Sequence, residues 1–112
     1  MVFLMKNKVF IADIYWLSPN EGGRKTPIPM NQRQYAPLVS VDGQLVVLNS
    51  TWSLLCYSFE KKSDFETLSY IRYLNPNNSP NNIKVGSGIE LFEGTKKVAF
   101  GKVIEETEFN FD

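Results

Sequence analysis

The sequence predicts an all-β fold, a closed barrel or a sandwich. Three observations point there. Short runs rich in β-branched and aromatic residues recur along the chain, and turn-forming clusters separate them at regular spacing. Of 112 residues, 43% are apolar and 13% aromatic, enough for one folded domain with its own core and without disulfide or metal.

Each element follows from local chemistry. Residues 9–17 (VFIADIYWL) read as a strand. Ser18, Pro19, Asn20 and the glycine pair Gly22-Gly23 end it. Pro27 and Pro29 hold the next stretch extended and irregular, because proline fixes φ and restricts its predecessor. Residues 34–41 form a second strand, part of it an edge at Pro37, and Asp42-Gly43 signals a hairpin into a returning strand over 44–48. Residues 52–59 make a further strand, and 60–64 a polar connection. Residues 65–74 fit either a short helix or a strand, with the strand favoured in their second half. Asparagines and prolines mark 75–82 as a loop. Strands at 89–92 and 97–104 flank the turn Glu93-Gly94-Thr95-Lys96, and the acidic end 105–112 is expected to be partly ordered at most. Trp16, Trp52 and most tyrosines sit in apolar strands, where core burial is the expected role. No repeat or linker divides the chain, so residues 1–112 are expected to form one domain with its core at about 9–104.

Composition narrows the function classes. Equal numbers of acidic and basic residues leave a formal net charge of zero, so any charge-guided partner must recognise a local patch. The single Cys56 fits a reducing compartment, and the expected location is the cytoplasm. With no histidine in the chain, Cys56 has no imidazole base and zinc lacks its usual ligands. No phosphate-binding glycine loop, spaced carboxylate pair or calcium loop is present, so neither an enzyme nor a cofactor or nucleotide site is expected. No apolar run is long enough to span a bilayer.

The most informative stretch is 17–28. Gly22 and Gly23 allow a backbone excursion, and Arg24, Lys25 and Thr26 follow before Pro27. One reading is a structural turn whose charges face water. The other is a recognition loop on a rigid scaffold.

That stretch resembles the start of the third, C-terminal domain of elongation factor Tu. There a strand ending in Leu-Ser is followed by Glu-Glu-Gly-Gly-Arg-His-Thr-Pro. Leu17, Ser18, Glu21, Gly22, Gly23, Arg24, Thr26 and Pro27 match, with Lys25 in place of the histidine. Residues 88–103 are similar to the family's last hairpin through Glu93, Gly94, Val98, Gly101 and Val103, with Ala99 where the family has glycine. Gln32-Arg33-Gln34-Tyr35 keeps part of a third family segment, and residues 44–70 match poorly.

The resemblance implies a six-stranded antiparallel closed barrel. It also implies a stand-alone module that binds a protein or a tRNA-like RNA of the translation machinery, since the family's barrel contacts aminoacyl-tRNA and an exchange factor. Arg24, Lys25, Thr26 and Arg33 are the candidate partner-binding residues, joined by Lys96 and Lys97 if the two ends of the barrel approach. Gly22, Gly23, Pro27, Gly94 and Gly101 are candidate structural positions. The alternative is an immunity-type or regulatory protein that binds a toxin or another protein through residues 44–70.

Overall fold

A computed structural model describes residues 8–43 and 52–112. Six strands run in the order β1 (Val9–Trp16), β2 (Leu38–Val41), β3 (Trp52–Ser63), β4 (Glu66–Tyr73), β5 (Gly88–Glu93) and β6 (Lys96–Thr107). Their spatial order is β1-β4-β3-β2-β5-β6, every neighbouring pair is antiparallel, and β6 returns to β1 to close the barrel. The expected all-β class and six-stranded closed barrel are thus what the chain forms. The only helices among the described residues are single 3-10 turns at Pro19–Glu21 and Pro76–Asn78, so none is long and apolar enough to cross a membrane.

Alternation along each strand builds the core. Phe10, Ala12, Ile14 and Trp16 of β1 are buried, as are Leu54 and Cys56 of β3, Ile71 and Tyr73 of β4, Ile89 and Leu91 of β5, and Val98 and Val103 of β6. A polar knot sits among them. The Ser58 and Ser69 hydroxyls lie 2.7 Å apart, Thr67 Oγ1 is 3.2 Å from Ser69, and Trp16 Nε1–H donates to Thr67 at 2.9 Å. All four residues are buried, and each is hydrogen-bonded, so the barrel interior tolerates them without an orphaned polar group.

Two glycines are sites of close backbone approach. A Cβ on Gly101 would stand 2.3 Å from the Asp13 carbonyl oxygen, and one on Gly23 would stand 1.9 Å from that of Leu17. Both belong to the segments that carry the resemblance, and both have a packing reason to be glycine.

Several element bounds differ from expectation. The second strand covers only Leu38–Val41, although Tyr35 and Pro37 still accept from Cys56 N and Leu54 N and so continue along β3. Pro37 has no N–H to return such a bond. Residues 60–63 belong to β3 and are not a separate connection: Lys62 holds Asp13 at 2.9 Å and Glu66 at 3.2 Å, so the polar residues extend a hairpin. Residues 66–73 are strand throughout. Asp42 and Gly43 take φ of 52° and 77°, the pair of positive φ values that a type I′ turn requires, while the strand expected at 44–48 lies outside the described residues.

The largest correction concerns the acidic end, expected to be partly ordered at most. β6 continues to Thr107, and the segment beyond it packs on the outer wall of the barrel, where Phe111 is buried with Val9 and Leu55. Its two phenylalanines outweigh its charge. Nor are the tyrosines chiefly core residues: Tyr73 is buried, but Tyr57 and Tyr70 stand on that outer wall.

Candidate functional site

The loop after β1 is fixed before it reaches its charged residues. Leu17 N–H donates to Val98 O of β6 at 2.9 Å. Pro19–Glu21 then forms one 3-10 turn, with Glu21 N–H and Gly23 N–H both donating to Ser18 O at 2.9 Å. Glu21 Oε1 accepts from Ser18 N–H at 2.9 Å, and this bond holds its carboxyl below the usual range. The Glu21 charge in turn pushes the Tyr15 hydroxyl up. Gly22 takes φ of 86°, where an L side chain is strained, and Gly23 packs against Leu17. The glycine pair is therefore a rigid bend, not a flexible one.

Arg24 closes the end of the barrel. Its Nη1–H donates to the Glu93 carboxylate, its Nη2–H to Thr26 Oγ1 at 2.9 Å, and the guanidinium lies 5.3 Å from the centre of the Tyr35 ring. Tyr35 O–H donates to the same Glu93 carboxylate at 2.6 Å, and its ring packs on Trp16. Burial pushes the Tyr35 hydroxyl well up, against the opposing pull of Arg24. Glu93 begins the turn between β5 and β6, where Gly94 takes φ of 64°, and Lys96 is its cross-strand neighbour. The Gly22–Thr26 loop and the last hairpin thus meet through Arg24 and Glu93.

The candidate residues separate into three places. Lys25 and Thr26 are exposed beside Arg24, and exposed Lys96 stands on the adjoining hairpin. Lys97 lies on the wall, bound to Glu90 at 2.6 Å. Arg33 lies over Tyr57 and Phe109 and donates to Asn110 O at 2.6 Å, so its charge serves the C-terminal segment.

A cleft of about 300 Å³ opens between this loop and the turn joining β3 to β4, lined by Pro19, Lys25, Pro27, Lys61, Asp64 and Phe65. Lys61 is exposed and Phe65 is 37% exposed. Neither residue stood out in the sequence, because nothing local to 60–65 shows that this turn faces the Pro19–Pro27 loop.

Cys56 behaves as core. Burial pushes its thiol up from 9.0 to about 12, although hydrogen bonding with Ser69 and Ser58 opposes the rise. A thiolate is needed for nucleophilic attack. Iodoacetamide is expected to leave Cys56 unmodified in the native protein at pH 8 and to alkylate it readily in denaturant. Fast labelling of the folded chain, followed by mass spectrometry, would contradict this assignment.

The geometry describes a rigid loop displaying cations beside a shallow cleft. No protein-family model matches the chain, and no curated protein matches it either.

Proposed function

We propose that the chain is a binding module built on a barrel of the elongation factor Tu third-domain kind, recognising a protein or RNA partner of the translation machinery through the rim at Lys25. The observation that carries this reading is the pairing of Lys25 and Lys61 in one cleft beside the exposed Phe65 ring. The loop bearing Lys25 is held by Gly23, the Arg24–Glu93 pair and Pro27, so little ordering cost remains at binding. The matched segments at 17–27 and 88–103 support the kinship and so the translation setting.

Between the two partner classes, a protein with an acidic segment is favoured. Affinity for nucleic acid grows with the number of phosphates neutralised, and this chain has zero net charge with Arg24, Lys62 and Lys97 already paired. Cys56, buried with a raised pKa, speaks for a binder and not a thiol catalyst.

The test uses the partner recovered from native cytosol by the wild-type chain. Lys25→Glu with Lys61→Glu is expected to weaken its binding by about 1–3 kcal/mol for each desolvated, charge-assisted hydrogen bond that the substitutions break. Unchanged affinity, measured by calorimetry on a folded variant, would refute the rim as the site. Arg24→Ala is the wrong probe, since it removes a brace of the barrel end. An acidic protein partner should show a moderate dependence on salt, and an RNA partner a steeper one, scaling with the phosphates neutralised, that the double substitution flattens.

A further inference from the structure

The cleft beside Lys25 has a shape and a charge pattern that specify its occupant. Leu17, Pro19, Pro27, Ile28 and Phe65 line it over the buried Trp16, around a volume of about 300 Å³. Its two sides are tied together, since Trp16 N–H donates to Phe65 O at 2.7 Å. Pro19 and Pro27 stiffen the opposite wall. Phe65 nevertheless stays exposed. Charge divides at this end of the barrel. Lys62 is held by Asp13 and Glu66, and Arg24 by Glu93. Lys25 and Lys61 line the cleft, and among the described residues neither has an ion-pair partner. Asp64 lines it too and is likewise unpaired among those residues.

We propose that the cleft receives one large apolar side chain of a partner protein, with a single carboxylate on an adjacent residue. The proposal rests on the rim reading above and names what enters there. The volume sits at the small end of binding pockets, so it takes one side chain and not a run of them. Removing that side chain from water against apolar walls supplies the anchor. Because those walls are fixed to the barrel, little ordering cost opposes it. Two uncommitted ammoniums at the mouth complement a carboxylate, and their flexible stems let both reach it. Asp64 sets the limit. A second carboxylate meets like charge there, so selection comes from repulsion as well as attraction.

The probe is a blocked synthetic peptide, Ser-Phe-Glu-Ser, titrated into the isotope-labelled full chain and followed by amide chemical shifts. The amides of Lys25, Lys61 and Phe65 are expected to move saturably, with roughly millimolar affinity for a single anchor. Replacing the peptide's phenylalanine by alanine should weaken binding at least about tenfold. Replacing its glutamate by glutamine should do the same. Phe65→Ala keeps the backbone bond to Trp16 and should also cost about tenfold. The peptide series on the wild-type protein decides the matter if that variant fails to fold. Asp64→Asn should improve binding of a peptide with a second glutamate roughly threefold more than it improves the first. Equal gains for the two peptides overturn the single-carboxylate limit. No saturable shift at the cleft, or equal binding by the alanine peptide, overturns the occupant. So does a short single-stranded RNA that moves the same amides at lower concentration, since the anchor would then be a base and its phosphate. None of these measurements uses the native partner, so failure here leaves the Lys25 and Lys61 reversal as a separate test of the rim.

Discussion

Gly101→Ala is expected to lower the unfolding free energy by more than about 3 kcal/mol, among the large values for a single substitution. The added methyl would stand 2.3 Å from Asp13 O and 3.0 Å from Ile14 Cα. Both are backbone atoms, so no rotamer change relieves the clash. β6 lies between β1 and β5 at this point, with Gly101 opposite Ile14 and Ile89, and strands held on both sides cannot spread freely. A urea titration with unchanged m should report the loss as a lower midpoint. Gly94→Ala is the control. There φ is 64° but the space around the Cβ is open, so only the conformational cost of roughly 1–2 kcal/mol applies. If the two variants lose equal stability, close approach is not what Gly101 provides.

Trp16→Ala is expected to cost about 3–5 kcal/mol through lost burial and the cavity left behind. Trp16 is 1% exposed, fills the barrel end beneath Tyr35, and gives its indole N–H to Thr67. Thr67 keeps Ser69 as a partner, so the damage is volume and not an abandoned acceptor. Trp16→Phe, which retains an aromatic ring, should cost distinctly less. Calorimetry should show Tm falling by about 10 °C or more for the alanine variant. Because Tyr35 rests on Trp16 and holds Glu93 together with Arg24, the alanine variant should also weaken partner binding at the rim.

How much of this was legible follows from where the information lay. β1 was readable because its run of β-branched and aromatic residues ends at clear turn chemistry, and the last hairpin because Glu93-Gly94 marks its turn. β4 was ambiguous for a physical reason. Its inward residues include Thr67 and Ser69, and its outward ones include Leu68 and Tyr70, the inverse of a half-buried strand. The hydroxyl knot inside and the aromatic cover outside explain that inversion, and both involve residues distant in sequence. The C-terminal segment misled through its carboxylates, which hid two phenylalanines spaced for one face. At the candidate site the bend at Gly22-Gly23 was visible as a bend. Arg24 was not visible as a brace, since its acceptor Glu93 lies on the opposite end of the chain. The same holds for Lys61 and Phe65, which reach the cleft only through the β3–β4 turn.

Closure of the sheet has a consequence for how the chain comes together during synthesis. β1 is made first, yet one of its two flanks is supplied by β6, with Val9 opposite Thr107. Until that last strand has left the ribosome, an apolar strand keeps an open row of N–H and C=O groups, a ready template for pairing with another chain. Contacts of such long sequence separation also slow the search, and all-β domains of this kind fold in roughly milliseconds to seconds. The finished barrel hides its edges, so the nascent chain is the stage most exposed to aggregation.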